Sequence, residues 1–185
     1  MIAPGSISGF SEVGIRNNRE TRIDRFLDTN GDGSGAKNVI GNYAGGSAET
    51  FFIAPPSDKK FVLSRMMVSI RDTGSMDSGL YGNGITITNG LTLKKKDGSG
   101  DILDMLDGLT IKTNGDWGRH CYDVSRSNFG SGDEYITVRW SFFRAGNKGI
   151  NLSGAAGEFF ELGLNDDFSG LVEHYYFIEG YEEAE

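Results

Sequence analysis

The stretch YITVRWSFF, residues 135–143, alternates without a slip. Ile136, Val138, Trp140 and Phe142 fall on one face; Tyr135, Thr137, Arg139 and Ser141 fall on the other. A period of two is the signature of a strand with one face on a core, because successive side chains leave a strand on opposite sides. Other segments repeat the theme. ETFFIA (49–54) stops at Pro55-Pro56, and FVLSRMMVSIRD (61–72) is long, with its alternation slipping near Arg65–Met67. That slip predicts a β-bulge. ITIT (85–88), LTLKKK (91–96), ILDML (102–106), INLS (150–153), FFELGL (159–164) and VEHYYFIEGY (172–181) read as further short strands. Asp97-Gly98 is a hairpin signal between two of them.

Such a cadence of short strands, with no long helical pattern, predicts an all-β chain. The expected architecture is an antiparallel β-sandwich, and a jelly roll is the arrangement that this spacing favours. Glycine supports the reading: 28 glycines against 3 prolines suit many tight turns.

The first 48 residues differ. They hold nine glycines and few bulky apolar side chains, too few to offset their ordering entropy. Two units are therefore expected: an extended glycine-rich N-terminal arm over 1–48 and a β-sandwich domain over 49–185. Arg16, Arg19, Arg22 and Arg25 recur at intervals of three. With Ile23, Phe26 and Leu27 they suggest a short helical turn, or an arm that orders on a neighbouring subunit. The four arginines are the candidate partner-binding residues, and removal of 1–47 is expected to leave the β domain folded. The acidic end, EGYEEAE, reads as solvated.

The net charge of −8 argues against nucleic acid and anionic membranes as partners. No run reaches the length of a membrane-spanning helix. No basic start followed by an apolar run marks an export signal, so synthesis in the cytoplasm is expected. Cys121 is the single cysteine, which excludes an internal disulfide and a cysteine-cluster metal site. It reads as a small buried residue rather than as the partner of His120.

Asp28, Asn30 and Asp32, followed by Gly33, resemble the opening of a calcium loop. Such a loop ends on a bidentate glutamate, and Val39 stands in that place. These three are weak candidates for a metal, and a turn is the reading preferred. Asn165, Asp166 and Asp167 read as a capped turn rather than an acid–base pair, because adjacent residues diverge. His174 reads as a hydrogen-bonded core histidine. Trp117, placed in a loop, is the best candidate for an exposed aromatic that stacks on a sugar. No serine-hydrolase elbow, phosphate loop or dinucleotide fingerprint is present. No catalytic residue and no cofactor are expected, and the chain is not read as an enzyme.

Four stretches together, RFLDTNGDGSG-x-KN, RMMVSIRDTG, IKTNGDW-x-R-x-CYDV and GLNDDFSGLVEHYYFIEGY, carry a resemblance that covers about Phe26 to Tyr181. The chain resembles a family of small virion structural proteins of tailed bacteriophages, similar to capsid decoration or cement proteins. The resemblance implies no catalysis and assigns no residue a chemical role. It implies a place on the virion, and the acidic charge suits the capsid exterior, where DNA is not the partner. The partners it implies are the major capsid protein or other virion proteins, and further copies of the chain in a homo-oligomer, a trimer. A tail or head–tail or fibre adaptor subunit is the second reading. A carbohydrate-binding module for host attachment is the third.

Overall fold

The computed structural model describes residues 21–28, 49–120, 123–128, 132–142, 149–168 and 170–184. Strands account for 58% and helix for 4%, so the chain is all-β. The elements in order are β1 (Thr21–Asp28), β2 (Glu49–Ile53), β3 (Lys59–Thr73), β4 (Leu91–Asp97), β5 (Gly100–Asp104), α1 (Asn114–His120), β6 (Asp123–Asn128), β7 (Asp133–Ser141), β8 (Ile150–Ser153), β9 (Phe159–Leu164) and β10 (Glu173–Ala184). Among the described residues no helix is long and apolar enough to cross a membrane.

All strand pairs are antiparallel. One sheet runs β1-β10-β3-β7-β6, with β8 also paired to β3; the other runs β2-β9-β4-β5. The pairs nest: β4 with β5, β3 with β8, β2 with β9, β1 with β10. The fifteen residues of β3 pair with β10 on one edge and serve two partners on the other. Its first half pairs with β8 and its second half with β7.

One hydrophobic core joins the two sheets. The large sheet contributes Leu63, Val68, Ile70, Val138 and Ile178, and the small sheet Phe51, Leu93, Phe160, Leu162 and Leu164. Phe142, just past β7, meets Phe160 of β9 edge-on at 6.0 Å. On β7 the buried residues are Ile136, Val138 and Trp140, the face expected from alternation alone.

β3 contains the expected irregularity, at Ser64. Glu179 pairs with Arg65 but Gly180 pairs with Leu63, so Ser64 is one residue too many. The buried parity flips there, from Phe61 and Leu63 to Met66, Val68 and Ile70. The Ser64 hydroxyl donates to the Glu179 carbonyl at 3.1 Å, which satisfies an acceptor beside the break. Gly180 faces the bulge. A Cβ there would lie 2.1 Å from the Val62 carbonyl oxygen, so a side chain has no room.

Several expectations need correction. Residues 21–28 pair with β10 along their whole length, so this part of the proposed arm is a strand of the large sheet. The helical turn expected around Ile23, Phe26 and Leu27 is not formed, because β10 offers an open edge whose backbone groups β1 satisfies. The rest of the proposed arm, with Arg16 and Arg19, lies outside the described residues. ITIT (85–88) is not a strand; only an isolated bridge joins Tyr81 to Ile85. The acidic end continues β10 to Ala184. Glu182 pairs with Lys59 at 3.3 Å and Glu183 with Lys60 at 3.9 Å.

Candidate functional site

At one end of the core, β10 brings His174 against Tyr81 of the 76–83 loop and against Phe168. The His174 Nε2 and the Tyr81 hydroxyl are 3.2 Å apart. Phe168 lies edge-on to Tyr81 at 5.3 Å. Trp117 sits 5.5 Å from Trp140 and 6.4 Å from Tyr81, ring to ring. Tyr81 and Trp117 are fully enclosed, and His174 is 2% exposed. Burial alone drops the His174 pKa to about 3, so the ring is neutral. Burial likewise pushes the Tyr81 and Tyr176 hydroxyls well up. His174 Nδ1 and the Tyr176 hydroxyl have no hydrogen-bond partner among the described residues. An imidazole that works as a general base must reach a substrate and titrate near working pH. This one is sealed in and does neither.

Trp117 therefore departs from its expected place in an exposed loop. The sequence TNGDW starts a helix: Thr113 Oγ1 accepts from the Asp116 N–H at 3.2 Å, and Asp116 Oδ2 accepts from the Thr113 N–H at 2.9 Å. This reciprocal cap turns the indole inward. The T-x-x-D spacing was the signal available in the sequence.

The acidic and amide side chains near this end hold loops together. Asp166 accepts from the backbone N–H groups of Thr88 at 2.9 Å, Asn89 at 3.0 Å and Gly90 at 2.5 Å. Burial opposes ionisation of Asp166, but these amide bonds prevail and lower its pKa. A locally capped turn is the expectation for 165–167; Asp166 instead caps amides of another loop, 76–78 residues away in sequence. Asn114 is buried; its amide donates to the carbonyls of Asp77 and Gly82, both at 2.8 Å, and its oxygen accepts from the Gly82 N–H. Glu134 is buried beneath Arg126, which donates to it at 2.7 and 2.8 Å, and it accepts the Met76 N–H at 2.7 Å. The Arg126 hydrogen bonds, then the Met76 amide, hold the Glu134 carboxyl at about 2.

Asp28, the one metal candidate among the described residues, ends β1; Asn30 and Asp32 lie outside them. Among the described residues no group of three His, Cys, Asp or Glu is placed to hold a metal ion. Arg22 and Arg25 sit on β1, while Arg16 and Arg19 lie outside the described residues. An interval of three suits a helix and does not repeat along a strand of period two. His120 closes α1, and Cys121 lies outside the described residues. Lys94, Lys95 and Lys96 do not form an anion-binding patch. They pair with Asp101 at 2.5 Å, Glu158 at 2.7 Å and Glu161 at 3.3 Å.

Among the described residues the large hydrophobics that stand exposed include Phe52, Leu80, Ile102, Leu103, Leu109 and Val124, and two of them, Ile102 and Leu103, are adjacent on β5. Lys95 pairs with Leu103 and Lys96 with Asp101, so Ile102 is a bulged residue. A bulge re-aims side chains at a sheet edge. Ile102 is 46% exposed and Leu103 45%, and Leu109 beyond the strand is 57% exposed. The β5 edge ends the four-stranded sheet. The terminal strand of the large sheet, β6, carries Asp123 and Arg126 and exposes Val124 at 40%, while β5 flanks its two aliphatics with Asp101 and Asp104. No protein-family model matches the chain, and no curated protein matches it.

Proposed function

We propose that the chain is a structural subunit of a tailed-phage virion, an accessory decoration or cement protein on the outside of the head shell. The observation that carries this reading is the exposed aliphatic pair Ile102 and Leu103 at the bulge of the terminal strand β5. Adjacent exposed aliphatics on a small β domain suit a docking contact. The ionisable groups described above are engaged in loop clamps and ion pairs, which suits a scaffold better than a catalyst. The nested pairing also supports it. Numbered without the β6–β7 hairpin, the remaining eight strands fall in the orders 1-8-3-6 and 2-7-4-5. We read that as a jelly roll with β6 and β7 inserted between its fifth and sixth strands, a double-sheet form used by capsid domains. Many weak contacts on a symmetric shell add through avidity, so a modest contact suffices.

The test uses particles that lack the protein. Purified chain is added, particles are pelleted, and bound copies are counted and located by electron microscopy. Binding over the shell at a copy number that tracks the capsid lattice supports the proposal. A single ring at a vertex or tail selects the adaptor reading. The Ile102→Asp/Leu103→Asp variant should keep its melting temperature and lose binding; unchanged binding would remove the pair from the interface.

A further inference from the structure

The sequence contains four Asn-Gly pairs, and three of them lie among the described residues: Asn83-Gly84, Asn89-Gly90 and Asn114-Gly115. Asn-Gly is the dipeptide most prone to self-modification, because glycine leaves its own amide nitrogen unshielded. The fold treats the three pairs differently. The side-chain amides of Asn83 and Asn89 each donate to a carbonyl, so the difference lies in the attacking nitrogen: at Asn89 the Gly90 N–H is held by Asp166 Oδ2 at 2.5 Å. At Asn114 the side chain is buried and the Gly115 N–H donates to the Ser78 carbonyl at 2.9 Å. Asn83 and Gly84 are both exposed. The Gly84 N–H donates to no described group, and no atom lies within 4 Å of the place where a Gly84 Cβ would stand.

We infer that Asn83-Gly84 is a site of spontaneous deamidation, and that the fold protects Asn89-Gly90 and Asn114-Gly115. The Gly84 nitrogen attacks the Asn83 Cγ. A Cγ–N bond forms, the Cγ–Nδ2 bond breaks, and ammonia leaves with the proton from the Gly84 amide. Water then opens the succinimide at either carbonyl and gives an aspartyl or isoaspartyl residue. No oxidant or cofactor enters; one ammonia is lost and one water gained.

The change has a structural consequence. The Asn83 side-chain amide donates to the Thr73 carbonyl, and the Asn83 N–H donates to Asp72 Oδ2 at 2.6 Å. A carboxylate at this position cannot donate to Thr73 and adds a negative charge beside Asp72. Repulsion of this kind loosens the 81–85 turn, which the Ile85 N–H closes on the Tyr81 carbonyl at 3.0 Å. Tyr81 is the hydrogen-bond neighbour of the buried His174. The modification therefore acts as an ageing switch on this end of the domain.

The test incubates the full-length folded chain at mildly alkaline pH and maps its peptides over time by mass spectrometry. The Asn83 peptide should gain the mass of amide-to-acid exchange about tenfold faster than the Asn89 and Asn114 peptides, since a glycine N–H that must first leave a hydrogen bond attacks more slowly by about that factor. In urea-unfolded chain the three rates should converge. Equal rates in the folded chain, or Asn83 as the slowest of the three, would overturn the inference. Asn83→Asp, the product mimic, should speed hydrogen exchange at the Ile85 amide; an unchanged rate would refute the switch.

Discussion

Acidification from pH 7 to pH 5 should cost this fold about 2 kcal/mol through His174 alone. Burial lowers its pKa from 6.5 to about 3. Between those values the unfolded chain binds a proton that the folded chain refuses, so stability rises with pH across the window and is lost as pH falls below 6.5. The loss grows to about 4 kcal/mol near pH 3, against a typical total of about 5–15 kcal/mol for a domain. Most carboxylates titrate below pH 5, so the upper part of the window isolates the imidazole. The assay is urea unfolding at pH 7 and pH 5 in a His120→Gln background, which leaves one histidine. The midpoint should drop by about 1 M. Adding His174→Gln, which keeps a polar group facing Tyr81 but cannot take up a proton in this range, should abolish the drop. Should that variant fail to fold, the wild-type imidazole followed by NMR supplies the check. A ring that titrates near its ordinary value in folded protein, or a midpoint indifferent to pH in the His120→Gln chain, would refute the reasoning.

Glu134 governs a lower window. Its folded pKa of about 2 lies below the ordinary 4.5, so its contribution is present above 4.5 and fades as pH falls towards 2; Glu134→Gln should flatten that acid limb in calorimetry. Asp166→Ala should destabilise by about 1–3 kcal/mol and speed hydrogen exchange at Thr88, Asn89 and Gly90. Trp117→Ala should cost about 3–5 kcal/mol in urea unfolding, whereas an exposed sugar platform would lose the side chain without effect on stability. Removal of 1–47 takes β1 with it and uncovers the β10 edge, so the melting temperature should fall, contrary to the expectation for a detachable arm; an unchanged value would show that the β1 pairing contributes nothing.

The amino-acid sequence by itself determined the local elements whose two faces differ. β7 was legible because Ile136, Val138, Trp140 and Phe142 alternate with polar neighbours, and alternation needs no knowledge of the partner strand. The Asp97-Gly98 turn was legible for the same reason: Asp97 accepts from the Ser99 and Gly100 N–H groups, a contact within four residues. The irregularity in β3 showed as a slipped parity. Helix α1 was missed although its reciprocal Thr113–Asp116 cap stood in the sequence, because TNGDWG also has the composition of a loop. Tertiary structure decided the rest. Thr21–Asp28 is a strand because β10 supplies the edge it completes. ITIT is not one, since Asp166 takes up the amides at its end. No local pattern could show that His174 meets Tyr81, that Trp117 faces inward, or that Gly90 is held and Gly84 free. Each depends on residues brought together from far apart in the chain, and burial and hydrogen-bond partners exist only once those segments meet.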